Sequence, residues 1–416
     1  MFSSAPVTNQ IKSHLIVALL FLGLASFGVN HKYASAFIIF LFLITVLDAF
    51  FDRKSWREVS VDWPILFTLI SLPLFVLMSS IFIHDFEVRY LDNPSRFIFA
   101  FIIFLLIIKS NLPHAFFIHG FAAAAILIGI FLSLDYDGGT RYAGNYGNPI
   151  PLGNVAASLT VVAGLISLEK TQTHNIRVAY FVAALSAFSA LVGSMSVGSW
   201  AAFVLALVIV SQIFRGARFS SSIKTLGFLS ALLCLAFLFS DLVQERIQVI
   251  WQQLSCVSID PWDQCSTNSL RDRFWFYLIG VDAFWNAPLF GHGPDAARSI
   301  LSDAVSKGLI PTPGSFSHFH NDLIELLVTR GLVGVVGYLL YVFGLLWFSA
   351  KLIKRYDDNL FARLLFTNTL IFIFCGLTQT VLSHASTATY FAFSNALLLA
   401  LAIKFQKNHN EASDMC

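Results

Sequence analysis

Charge is what this 416-residue sequence has least of. Asp, Glu, Lys and Arg make up 12% of it, about half of the ~25% found in an ordinary soluble domain. That scarcity excludes the well-solvated surface of a soluble globular protein. The formal net charge of +2 says little about partners, and no nucleic-acid partner is expected. A cleavable leader pattern is also missing. The first apolar run is followed by "VNHKY", with no small-residue cleavage site, so that run is expected to stay as a helix. Internal repeats are absent too. Five cysteines are present, and only Cys256 and Cys265 fall together in a segment expected to be external.

What is there is hydrophobic sequence. Apolar residues make up 57% of the chain, Phe alone accounts for 43 positions, and the mean hydropathy is +0.74. Apolar runs of membrane-spanning length recur from end to end. About twelve spans are expected, roughly at 14–30, 33–51, 63–83, 96–109, 115–134, 149–168, 178–196, 199–214, 225–241, 331–350, 361–382 and 389–405. The expected fold class is therefore an all-α, polytopic integral membrane protein. Lys and Arg alternate between loops. One set holds Lys12, Arg53, Lys54, Arg57, Lys109, Lys170, Arg177, Arg215, Arg218, Lys224, Lys351, Lys354, Arg355 and Lys407. The other holds only Lys32, Arg89, Arg96 and Arg141. The positive-inside rule puts the first set and both termini in the cytoplasm.

Three regions follow: 1–240 with spans 1–9, 241–330 as an external segment, and 331–416 with spans 10–12 and the tail. The external segment reads as a cap of short helices. Ser269 and Asp272 resemble a capping box with Asp in place of Glu, so a helix is expected from about 270 to 286. Pro288 and "GHGP" break it. A second helix is expected near Asp295 and a third from about Asn321. An oxidising compartment would favour a disulfide between Cys256 and Cys265.

Several residues in and near the cap can carry chemistry. In "SHFHND", His318 and His320 stand one residue apart at the start of a helix leading into span 10. Histidine accepts a proton near neutral pH. The pair could serve catalysis, could be interfacial side chains bonded to headgroups, or could begin a zinc site. Zinc needs further ligands, and nothing in the spacing ties in His292 or His384. Arg271 and Arg273 lie two apart on the cap helix and point to different faces. Tyr277 shares the face of Arg273. Arg141 lies in "DGGTRYAGNYGNP", where Gly138, Gly139, Gly144 and Gly147 allow close backbone approach. Such arginines can snorkel to lipid phosphates or clamp a pyrophosphate through bidentate forks. Gly291 and Gly293 could offer N–H groups to an anion or form a bare turn. Asn154, Gln212, Asn368, Gln379 and Asn395 are polar residues in the spans, expected to pair helix to helix.

"RYAGNYGNPIPLGNVAA", "SLRDRFWFYLIGVDAFWNAPLFGHGP" and "SHFHNDLIELLVTRGLVG" resemble the O-antigen ligase and O-antigen polymerase superfamily. The resemblance implies a donor glycan on undecaprenyl pyrophosphate and, for ligases, an acceptor sugar hydroxyl on lipid A–core. It implies inverting glycosyl transfer at the periplasmic face of a Gram-negative inner membrane, with no metal and no cofactor. By the same resemblance His320 is the general base, Arg141 and Arg273 hold the donor pyrophosphate with Arg271 beside them, and His318, Asn321, Tyr277, Gly291 and Gly293 give support. One position departs. The family commonly has an arginine in the turn after span 7, and here "GSMSVGSW" puts Val197 there. Arg271 or Arg141 would then supply that charge, or the donor is held differently.

Competing readings are an O-antigen polymerase, whose acceptor is a second lipid-linked repeat unit, and a protein-glycosylating oligosaccharyltransferase. A lipid-linked sugar transporter belongs to another class. It would need charges near the membrane midplane, whereas Asp48 and Arg363 lie near the inner ends of spans 2 and 11.

Overall fold

The structure is a computed structural model and describes residues 7–82, 87–110, 115–136, 141–213, 241–257, 269–310 and 314–414. Those residues are helical, with no strand among them. Before the cap come α1 (Val7–Ala25), α2 (His31–Phe51), α3 (Trp63–Ile81), α4 (Asp92–Lys109), α5 (Ala115–Asp135), α6 (Pro149–Ser167), α7 (His174–Gly193) and α8 (Val197–Ile213). The cap holds α9 (Asp241–Val257), α10 (Ser269–Asn286) and α11 (Ala296–Ser306). After it run α12 (Asp322–Arg355), α13 (Leu360–Thr378) and α14 (Ala385–Asp414). Eight of the described helices are long and apolar enough to cross a membrane: α2, α3, α5, α6, α7, α12, α13 and α14. The protein is an all-α polytopic membrane protein. The span expected at 225–241 lies outside the described residues apart from Asp241.

Helices α6, α13 and α14 form the centre of the bundle and are almost wholly buried, while α2 carries exposed Phe40, Phe50 and Phe51 on its outer face. Lipid is as apolar as leucine, so buried helices associate through close packing and hydrogen bonds. Asn368 on α13 donates to Asn395 Oδ1 at 2.7 Å and to Ser394 Oγ at 3.0 Å, both on α14. Ser199 on α8 donates to Asn154 on α6 at 2.6 Å. These amides pair helix to helix as the sequence suggests. The charges expected near the inner ends of spans 2 and 11 are neutralised locally. Asp48 bonds Lys12, Lys109 at 2.8 Å and Trp56 Nε1 at 3.1 Å, and Arg363 pairs with Glu169 at 2.6 Å.

The helix expected from about Asn321 and the span expected at 331–350 run together as α12, which starts at Asp322 and is bent at Gly331, with φ 62° and ψ −163°. Only glycine adopts such a conformation readily. The bend is braced by the GHGP turn: His292 and Gly293 donate N–H groups to Val328 O (2.8 Å) and Thr329 O (3.1 Å). In return Leu332 and Val333 donate to Pro288 O and Leu289 O at 2.8 and 3.1 Å.

The cap has its own small core, in which Phe276, Leu301, Phe319 and Val328 are essentially excluded from solvent. It docks α10 tightly on α12, so closely that a Cβ at Gly280 would stand 2.5 Å from Ile324 Cγ2. The capping-box expectation meets a different bond, since Ser269 Oγ donates to Gln253 of α9 at 3.1 Å. Cys265 and the Cys256 side chain lie outside the described residues.

A candidate active site under the cap

The pair of histidines is placed by the residue after it. Asn321 caps α12: its Oδ1 accepts from Leu323 N at 2.9 Å and Ile324 N at 3.2 Å. Its amide donates to Leu377 O at the end of α13, at 3.0 Å. Two acids follow in the first turn, Asp322 and Glu325, where a helix dipole favours negative charge. Glu325 reaches back, accepting from Phe319 N at 2.8 Å and lying 3.5 Å from His318 Nδ1. With Phe319 buried in the cap core, the segment is fixed from both sides. His320 sits at φ 55°, a left-handed conformation that a non-glycine residue rarely adopts and that recurs at functional sites.

The His320 ring stacks on Phe276, with centroids 5.7 Å apart and planes 17° from parallel. Its Nδ1 bonds Gln379 Oε1. A carbonyl oxygen only accepts, so Nδ1 carries the hydrogen and Nε2 presents the lone pair. Gln379 Nε2 in turn approaches His384 Nε2 at 3.4 Å. Burial lowers the His320 pKa to about 4; the Gln379 bond opposes that shift, while Arg273 and His318 add to it. Burial, with His318 and His320, also lowers His384 to about 4. Both rings are neutral near pH 7.

His320 lines a cavity of 380 Å3 whose walls also carry Arg141, Arg246, Arg273 and Gln379, within the size range of ligand sites. Arg141 is anchored by its Nε to Ser194 O at 3.2 Å. Burial is the largest influence lowering its pKa, followed by the charges of Arg246 and Arg273. Arg273 is lowered chiefly by burial; Tyr277 opposes this and Arg246 adds to it. Burial lowers Arg246 as well. All three remain charged, because guanidinium does not titrate near neutrality. Among the described residues none of the three has a carboxylate ion-pair partner, although Asp272 also lines the cavity. Like charges held together in a partly buried cavity favour an anion there.

The structure brings His320, Arg141 and Arg273 together. Tyr277 lies beside them, donating to His320 O at 3.4 Å. Arg271 does not line this cavity; it is buried, 6% exposed, on another face of α10, as the two-residue spacing requires. Gly291 and Gly293 are also elsewhere. Their N–H groups go to Ala287 O and Thr329 O, and they pack against the α12 bend. His318 faces a different cavity. Val197 does line the arginine cavity. Arg246 lines the same cavity, and sequence motifs do not single it out, although Arg246, Ile250 and Gln253 recur at helical spacing and all reach the cavity. In the sequence Gln379 reads as a helix-pairing amide; it sits at the C-cap of α13 and bonds the His320 ring instead. No group of three or more His, Cys, Asp or Glu side chains among the described residues converges as a metal site.

A family model described as O-antigen ligase matches residues 180–339, from α7 through the first half of α12. Over those residues the chain is similar to the O-antigen ligase family. The match contains Arg246, Arg273 and His320, whereas Arg141 and Gln379 fall outside it. An uncharacterized protein of Haemophilus influenzae (strain ATCC 51907 / DSM 11121 / KW20 / Rd) is 24% identical over 398 residues, covering 92% of this chain and 96% of that protein. The matched residues 180–339 include the cap helices and the first half of α12.

Proposed function

We propose that this protein is an O-antigen ligase. It moves a glycan from undecaprenyl pyrophosphate to a sugar hydroxyl of lipid A–core at the periplasmic face of a Gram-negative inner membrane. The observation that carries the reading is the shared cavity: Arg141, Arg246 and Arg273, without a carboxylate ion-pair partner among the described residues, line one space with a neutral His320, and of these four only Arg141 lies outside the matched residues 180–339. Arg141, Arg246 and Arg273 hold the pyrophosphate and stabilise the charge that develops as the C1–O bond to phosphate breaks. His320 Nε2 takes the proton of the acceptor hydroxyl as that oxygen bonds to C1. Attack opposite the leaving group inverts the anomeric centre.

The low pKa of His320 suits this order of events. Free, the ring is neutral and ready to accept. Once the pyrophosphate is bound, its negative charge offsets the arginines and raises the basicity of the ring. Gln379 is a positioning residue, keeping the tautomer with Nε2 unprotonated. The chemistry calls on no metal or cofactor, so chelators should leave transfer unchanged. The test is complementation of ligase-null and polymerase-null strains. Restoration of lipid A–core-linked glycan only in the former supports ligase. Restoration of chain length only in the latter would replace ligase with polymerase.

A further inference from the structure

The cap presents two unlike outer faces. Helix α11 turns Arg298, Ser299, Ser302, Asp303, Ser306 and Lys307 outward, and Lys307 pairs with Asp303 at 2.6 Å. That face suits water. Helix α10 exposes Phe274, Leu278, Val281 and Trp285 instead. At 3.6 residues per turn these four fall within an arc of about 60°. Phe276, Gly280 and Ala283, on the other side of the helix, are buried. Helix α9 repeats the pattern. It exposes Ile247, Trp251 and Leu254, about 100° round from Arg246, Ile250 and Gln253, which line the arginine cavity. Single apolar side chains on a surface are ordinary, but contiguous rows of them mark an interaction surface.

Continuity identifies the partner. Beyond Trp285 the α10 row leads to exposed Leu289. The backbone there is joined to the bend of α12, where Pro288 O accepts from Leu332 N at 2.8 Å and Leu289 O from Val333 N at 3.1 Å. From that bend α12 exposes Leu332, Val336, Leu340, Phe343 and Trp347, the outer face of a helix long and apolar enough to span the membrane. Beside it Phe290 stacks on Phe82 at the end of α3, with centroids 4.5 Å apart, and Phe82 and Ile81 are exposed as well. The apolar surface thus passes from span to cap helix through Leu289 and Leu332. Acyl chains cover the α12 stripe, and the same chains can cover its continuation. Trp251 and Trp285 are 74% and 71% exposed, and tryptophan favours the boundary between acyl chains and headgroups.

We infer that α10 is an interfacial helix, lying in the leaflet on the cap side with Phe274, Leu278, Val281 and Trp285 among the acyl chains, while α11 faces water. An amphipathic helix of this kind buries its apolar face ~5–10 Å into the headgroup and acyl boundary. Arg273 lies on the same helix and lines the arginine cavity, so immersion of α10 keeps that cavity near the depth of lipid phosphates. The inference needs only a membrane-spanning bundle and stands whether or not the ligase reading does.

The test uses the full-length protein in nanodiscs of phosphatidylethanolamine and phosphatidylglycerol. A nitroxide is attached through p-acetylphenylalanine, which leaves the native cysteines alone, at one of four positions. Leu278 and Trp285 report on α10, Leu340 on the bilayer-facing stripe of α12, and Asp303 on the polar face of α11. All four side chains are exposed, so the label displaces no packed residue. Collision with dissolved oxygen, which concentrates among acyl chains, is compared with collision with a water-soluble nickel chelate. Labels at 278 and 285 should favour oxygen, as at 340, and the label at 303 should favour nickel. A ratio at 278 or 285 nearer to that of 303 than to that of 340 would overturn the inference and put α10 in water. Shielding of 278 and 285 from both reagents would also overturn it, because another stretch of protein or a second copy would then cover the row.

Discussion

Replacing Arg246 by alanine separates donor binding from folding. The side chain belongs to a cap helix, lines the arginine cavity, and adds to the electrostatic strain on Arg141 and Arg273. In the proposed mechanism its loss removes one charge-assisted contact to a pyrophosphate, ~1.5–3 kcal/mol, or roughly 10- to 150-fold in donor affinity. The same change relieves repulsion in the empty cavity, so the ligand-free protein should melt no lower than wild type. An ordinary structural arginine would behave oppositely. Val197 lines the same cavity, so Val197→Arg in the Arg246→Ala background should recover much of the affinity. Arg246→Lys should recover less, since lysine lacks the fork. The assay is calorimetric titration of an undecaprenyl pyrophosphate-linked oligosaccharide into detergent-solubilised protein, with thermal unfolding alongside. Donor affinity within about twofold of wild type, or a lowered melting temperature with no rescue by Val197→Arg, would refute the assignment.

Other outcomes follow from the same geometry. The ordinary histidine pKa is near 6.5 and that of folded His320 near 4, so the unfolded chain binds more protons between those values. Native stability should therefore fall as pH drops from 6.5 towards 4, and the free-enzyme kcat/KM should keep its activity to about pH 5. Gln379→Glu should move the acid limb to higher pH, because a carboxylate stabilises the imidazolium. Gly331→Ala should greatly reduce folded yield: the backbone conformation alone costs ~1–3 kcal/mol, and the added Cβ would stand 2.4 Å from Leu289 C and O. For topology, a reporter active only in the periplasm should be active when fused after residue 260 and silent after residue 220. The reverse result would invert the membrane orientation.

Much of the bundle was legible because a spanning helix announces itself by an uninterrupted apolar run. The ends were less so. Helix α4 begins at Asp92, four residues before the apolar pattern, where Asp92 and Arg96 pair at 2.9 Å. Helix α12 continues through Gly331 because the GHGP turn, some forty positions earlier in the chain, supplies partners for the bent backbone. The arginines of the cap helix and the loop before α6 were visible as motif residues, and so was His320. Arg246 and Gln379 were not. Gln379 meets His320 only through the fold, Arg246 reaches the cavity only through the docking of α9, and neither stands in a motif. The division between Arg271 and Arg273 followed from helical spacing, but which of them faces the cavity depends on how α10 docks.

The most direct test of the account is His320→Ala, assayed separately for donor binding and for transfer to rough lipopolysaccharide. In the proposed mechanism the arginines bind the donor and the histidine acts only on the acceptor proton. The variant should therefore bind donor as wild type does and lose ~10²–10⁴ in turnover, with no restoration by zinc. Near-wild-type turnover, or loss of donor binding in proportion to turnover, would contradict it.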